Sequence, residues 1–310
     1  MTADLRTALV GSGAGPTVGF VAPPDAGAVR QLEELGVASL WVGGHVASVN
    51  PSPEAIAWLS RLVEQTRSAV VGTAVLLLPL YPPAILAKQL ADLDRASAGR
   101  LAIGVGVGGE YPSDFAAAEV PLSERGSRTD ESLELLRRFW TAEPVTHVGR
   151  HHRFAEVRIH PAPQQADGPP LIVAGRQPAA MRRAARLGDG WMPYLYSPER
   201  YARSVDTVRA EAGAAGRDLS RFIWSAYLFV SLDDDPGRAR TAALDFLGST
   251  YRADFEDLLD RIACIGDVAQ VTAKLAAFAA AGARHLVVAP IGPDPVATCE
   301  RILTEVVPGL

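Results

Sequence analysis

Apolar residues along this chain fall in short dense runs, separated by stretches with helical spacing. Val18–Val21, Ser39–Val42, Val70–Leu77, Leu101–Val105, Leu171–Ala174, Gly190–Pro193, Phe222–Val230 and His285–Ala289 read as eight strands. The longer runs are nearly continuous, as expected of parallel strands buried on both faces. Between them the apolar period becomes that of a helix. Ile56, Leu59 and Val63 share one face of residues 53–67, and Leu86, Leu90 and Leu93 share one face of 83–97. Pro83 stands at a first turn, where a missing N–H costs nothing. Val29–Leu35 is a short helix closed by Gly36. Val268, Val271, Leu275 and Phe278 mark a last long stripe over 267–281.

The alternation is interrupted twice. After the fourth strand, Gly108–Leu122 is a long polar connection, followed by a helix over Ser123–Thr141 and a hairpin excursion over Val145–Pro163. After the seventh strand, Pro236–Ile262 is a variable helical region. Eight strands alternating with helices predict an α/β fold, a (β/α)8 TIM barrel with insertions after strands 4 and 7. No low-complexity segment or linker divides the chain, so 1–310 is expected to be one domain.

Composition supports a large buried core, with 48% apolar residues, and the net charge of −5 gives no basic footprint for nucleic acid. No apolar run approaches the length that spans a bilayer. Asp4 and Arg6 interrupt a weakly apolar N-terminus, which reads as no secretory signal. Cys264 and Cys299 are the only cysteines and form no close pair, so neither a disulfide framework nor a zinc site is expected. The expected compartment is the cytoplasm. The expected partners are a small-molecule substrate and, for the chain itself, a second copy in a homodimer. Lys88 and Lys274 are the only lysines among 30 basic residues, a bias toward arginine that fits GC-rich coding.

In barrels of this type the chemistry sits at the C-terminal ends of the strands. The second strand with its end reads Leu40-Trp-Val-Gly-Gly-His45, the fourth Gly99-Arg-Leu-Ala-Ile-Gly-Val-Gly-Val-Gly108, and the fifth Leu171-Ile-Val-Ala-Gly175. Together with Gly72-Thr-Ala-Val75, Ala87–Asp94, Arg125–Trp140 and Ala184–Trp191, these pieces run in an order that resembles the bacterial luciferase-like family of flavin and deazaflavin enzymes. The glycine run is not a dinucleotide fingerprint, because its strand and helix context differs.

The resemblance implies a tricyclic ring in the mouth of the barrel. It implies that His45 contacts ring or substrate, although Gly44 stands where the family often has an acid. The alternative for His45 is a strand-end histidine bonded to local backbone. The resemblance also implies a bulge at Thr73, Ala74 and Val75 with a non-prolyl cis bond at Ala74–Val75, pressed against the ring. Gly106, Val107 and Gly108 would lie along the ribityl chain, since no Cβ intrudes there. Ala174, Gly175, Arg176 and Gln177 precede a helix, and such backbone amides beside an arginine suit the cofactor phosphate. Glu110 is the candidate general acid, displaced by one place from the family's pattern, with Tyr111 and Asp114 as neighbours able to face substrate. Tyr194 and Tyr196 are candidate donors or rim-packing residues. Arg125, Arg128, Asp130 and Glu131 read as a charge network on a helix surface.

The function implied is a coenzyme F420-dependent oxidoreductase moving a hydride between the deazaflavin and a small organic substrate. One rival is an FMN-dependent monooxygenase of the same family; another is a flavin-binding protein without activity.

Overall fold

The computed structural model describes residues 5–11, 15–48 and 51–310. Helix α1 (Leu5–Val10) precedes β1 (Thr17–Val21), α2 (Ala26–Glu34), β2 (Ser39–Val42), α3 (Ala55–Gln65), β3 (Val70–Leu77), α4 (Pro83–Ala96) and β4 (Leu101–Gly106). Then come α5 (Pro112–Ala117), α6 (Arg125–Trp140) and a hairpin of β5 (Val145–Val148) and β6 (Arg153–Val157). The alternation resumes with β7 (Leu171–Ala174), α7 (Pro178–Leu187), β8 (Gly190–Met192), α8 (Pro198–Ala214) and β9 (Ile223–Leu232). The chain continues through α9 (Pro236–Tyr251), α10 (Leu259–Ile262), β10 (Ala263–Gly266), α11 (Val268–Ala280), β11 (His285–Ile291) and α12 (Pro295–Arg301).

The main sheet runs β10-β9-β11-β1-β2-β3-β4-β7-β8 and closes through a pairing of β8 with β9. Eight parallel strands thus form the expected (β/α)8 barrel. The ninth strand, β10, is an addition. β9 is long enough to serve two neighbours: Ile223 and Trp224 pair with β8, while Phe229–Leu232 pair with β10. The strand over 263–266 falls between two helical segments and is too short to show a period.

Side chains fill the barrel because large and small residues alternate around it. Trp41 is fully buried, and glycines of the two flanking strands make room for it. A Cβ on Gly72 would stand 2.6 Å from Trp41 Cζ3, and one on Gly19 would stand 1.9 Å from Ser39 Oγ. α1 plugs the N-terminal end of the barrel: its Leu5 and Leu9 pack in one cluster with Trp41, Val70, Ala102, Ile172 and Val287. Its few residues carry too little periodic signal to be read as a helix.

A chain of polar side chains crosses that end. Trp41 Nε1–H donates to Ser39 Oγ at 2.6 Å, and Ser39 Oγ lies 2.9 Å from His285 Nε2. His285 Nδ1 lies 2.7 Å from Thr17 Oγ1, whose hydroxyl donates to Leu9 O at 2.7 Å. With Thr17 committed to Leu9, the ring must donate from Nδ1 and accept at Nε2, which is the neutral form. Burial pushes His285 from the ordinary 6.5 down to about 3. Above pH 6.5 the residue is neutral folded or unfolded, and its contribution to stability is complete. As pH falls from there toward 3, only the unfolded chain takes the proton, so stability is lost. Between pH 6.5 and 5 this group alone is expected to cost about 2 kcal/mol. Urea unfolding of wild type and His285→Gln across that range checks it. The wild type should lose about one proton's worth of slope more than the variant.

Candidate active site

The C-terminal strand ends gather the candidate residues into three groups. The first is the β3 bulge. The β3–β4 register slips between Thr73 and Leu76, and the Ala74–Val75 peptide is cis, as expected from the sequence. Thr73 is buried, with its hydroxyl donating to Gly104 O at 2.8 Å. Val75 packs on Gly106: a Cβ there would be 2.7 Å from Val75 Cγ2. Gly106 is the last residue of β4 and is buried, so it is a strand position and not part of an open loop. Val107 and Gly108 follow, and Gly108 has φ +66, with Phe115 only 3.2 Å from where a Cβ would stand. Gly108→Ala is therefore expected to cost about 1–2 kcal/mol through a left-handed backbone alone, read as a lower urea midpoint.

The second group is built on the β2 end. Gly44 is held against the entry to α3, where a Cβ would meet Ala55 N at 2.6 Å and Pro53 O at 2.8 Å. An acid cannot stand at this position without moving that turn. The carboxylate beside His45 comes from another element. Asp114 of α5 lies with Oδ2 2.8 Å from His45 Nδ1, and its Oδ1 accepts from Val46 N at 2.8 Å and Ala47 N at 2.7 Å. The Tyr111 ring meets the His45 ring edge-on at 4.8 Å between centroids. Asp114, expected to face substrate, is instead buried beneath the histidine.

The third group surrounds Glu110. Tyr194, just past β8, donates its hydroxyl to Glu110, and the Arg176 guanidinium lies 4.6 Å over the Tyr194 ring. Burial, then the charge and hydrogen bond of Glu110, push the Tyr194 phenol up, so it stays a neutral donor. Tyr251 of α9 stacks on Tyr194, and Tyr111 Oη donates to Thr250 O at 3.1 Å. These two α9 residues carried no signal in the sequence, because their role depends on how the insertion after β9 folds back. Tyr196 is buried and donates to Arg176 O at 3.2 Å, a rim-packing role. The peptide after β7 turns sharply at Gly175, with φ +130, and no side chain caps α7 at Gln177.

The α6 charges reach beyond their own helix. Asp130 pairs with Arg183 at 2.5 Å, and Glu131 accepts from His147 Nε2 and from the backbone of His151 and His152, tying α6 to the β5–β6 hairpin. Among the described residues, no group of three or more His, Cys, Asp or Glu side chains is placed to hold a metal, and no helix is long and apolar enough to cross a membrane.

A closed parallel barrel with a bulged third strand, a glycine-rich fourth-strand end and a histidine after the second is a (β/α)8 barrel whose candidate site lies at the C-terminal strand ends. The sequence model of the luciferase-like monooxygenase family matches residues 26–285, and the chain belongs to that family. It is 32% identical over 243 residues to a 4-hydroxyprotoasukamycin monooxygenase of Streptomyces nodosus subsp. asukaensis, covering 74% of this chain and 63% of that one. It is 26% identical over 305 residues to an F420-dependent glucose-6-phosphate dehydrogenase of Kineococcus radiotolerans, covering 90% of each. In fold it is similar to an F420-dependent secondary alcohol dehydrogenase solved with an F420–acetone adduct, at a TM-score of 0.83 and 22% identity, covering 95% of this chain and 99% of that one.

Proposed function

We propose that this protein is a coenzyme F420-dependent oxidoreductase acting on a small organic substrate. The observation that carries the reading is the β3 bulge seated on Gly106, which leaves the small side chains of Ala74 and Val75 half-exposed beside the glycine-rich end of β4. A planar ring can approach such a surface more closely than one lined by large side chains. The ring would lie on Ala74 and Val75, with Gly44 and His45 at its edge and the side chain along Val107 and Gly108; Thr73 and Gly106, expected to touch the cofactor, are buried beneath the bulge and support it instead. The phosphate would sit at Ala174, Gly175, Arg176 and Gln177, where the uncapped start of the ten-residue helix α7 favours an anion. Arg176 would leave the Tyr194 ring to reach it. When bound, the deazaflavin supplies hydride chemistry, and the protein supplies orientation and proton transfer.

His45 and Glu110 are the candidate proton-handling groups, with Tyr111, the neighbour of Glu110, in contact with the His45 ring. Tyr194 and Tyr251 stack beside Glu110 and give an aromatic surface suited to a carbon skeleton. The reading includes a cytoplasmic location, in keeping with two buried free cysteines. It also includes a homodimer as the working form. The monooxygenase relative supports a second reading, with reduced FMN as cofactor. The Asp114 carboxylate beside His45 speaks for an active enzyme over an inactive flavin carrier.

Fluorescence titration of the purified protein with coenzyme F420 and with FMN separates these readings. Micromolar or tighter binding of the deazaflavin, with weaker FMN binding, is the expected result. Tight FMN binding without a deazaflavin response would promote the oxygenase.

A further inference from the structure

The carboxylate that the β2 end lacks is restored from a distance of 69 positions along the chain, and its geometry fixes more than the place of the histidine. Asp114 Oδ1 is committed to the N–H groups of Val46 and Ala47, which belong to the same turn as His45. Its Oδ2 faces His45 Nδ1 at 2.8 Å. A carboxylate only accepts, so Nδ1 must carry the hydrogen. In the neutral ring the lone pair is then at Nε2. The Asp114 side chain is 1% exposed and the His45 side chain 28%, so the open part of the ring is the part turned away from the acid. The Tyr111 ring, edge-on at 4.8 Å, limits rotation of the imidazole out of this pose.

We propose that Asp114 is the positioning residue of His45, holding it in the Nδ1–H tautomer so that Nε2 is the proton acceptor at the barrel mouth. This rests on the oxidoreductase reading for what Nε2 does, but not for which nitrogen carries the hydrogen. One proton moves from a substrate hydroxyl to Nε2, giving an imidazolium whose charge the Asp114 carboxylate balances. The reverse transfer returns it.

Asp114→Asn gives a sharp test, because the two bonds to backbone N–H pin the amide oxygen in the place of Oδ1. The amide NH2 then faces His45 Nδ1, and the ring must accept there and carry its hydrogen on Nε2. Nitrogen-15 NMR of histidine-labelled protein at neutral pH, with the His45 signal assigned by its loss in His45→Gln, reads the tautomer without any cofactor. The wild type is expected to show Nδ1–H and the Asn variant Nε2–H. With the coenzyme bound, kcat of the Asn variant should fall by about 10²-fold or more with KM within a few-fold. An Nε2–H tautomer in the wild type would overturn the proposal even if the variant failed to fold. So would an inverted tautomer with undiminished kcat, or a variant that kept Nδ1–H. If the tautomers behave as stated but neither cofactor supports turnover in the wild type, the positioning of His45 stands and the oxidoreductase reading falls.

Discussion

His45→Ala is expected to lower kcat by about 10²–10⁴-fold while moving the thermal midpoint by only a few degrees. The two effects differ in size because they draw on different interactions. Loss of a proton-transfer group of that worth corresponds to about 3–5 kcal/mol of barrier. Loss of the folded-state contact is smaller. Asp114 keeps its bonds to Val46 and Ala47 when the imidazole is removed, so no buried carboxylate is stranded. The bond itself, charged but with a partly exposed partner, is worth about 1–2 kcal/mol. Turnover with coenzyme F420 and a panel of small alcohols, imines and activated alkenes, alongside thermal unfolding, measures both. An alanine variant that turned over normally but melted early would make His45 a structural residue. The proton-handling role would then pass to Glu110 or Tyr111 on the neighbouring loop.

What could be read in the sequence followed the strength of the local pattern. All eight barrel strands were legible to within a residue or two, because a parallel strand buried on both faces is a dense apolar run and little else resembles it. The strand ends that carry the candidate site were legible for the same reason. The Ala74–Val75 geometry and the histidine at the β2 end came from family likeness and lie where expected. The short elements were not legible. α1, α5 and β10 have between four and six residues each, fewer than two periods of any helix pattern. Contacts between distant loops were not legible either. Asp114 reads as a connection residue able to face substrate, and only tertiary placement turns it under His45. Arg176 reads as a phosphate-binding cation, and only tertiary placement shows its guanidinium over the Tyr194 ring. Gly106 reads as the first residue of a permissive loop and is the last residue of a buried strand.

Burial of Gly106 at the end of β4 sets the expected result of Gly106→Val. A loop would accept the branched side chain, and only the cofactor would notice. In the strand, the added Cβ already lies 2.7 Å from Val75 Cγ2 and 3.8 Å from Leu77 Cδ2, before the two γ-methyls are placed. The β3 bulge must give way, at an overpacking cost of about 1–3 kcal/mol. The same displacement moves Ala74 and Val75 out of the surface on which the ring would lie. Binding of the deazaflavin is expected to weaken about 100-fold or more, equivalent to roughly 3 kcal/mol. Fluorescence titration and urea unfolding on one preparation read both quantities. Gly213→Ala, inside α8 with nothing within 4 Å of the new Cβ, is the control and should change neither binding nor the fold. Since Val75 is the residue struck, Gly106→Ala paired with Val75→Ala should recover stability relative to Gly106→Ala alone, a coupling that independent sites do not show. Recovery of deazaflavin affinity together with stability would place the cofactor on this seam. A folded Gly106→Val variant that bound the coenzyme as tightly as wild type would move the cofactor to a different strand end.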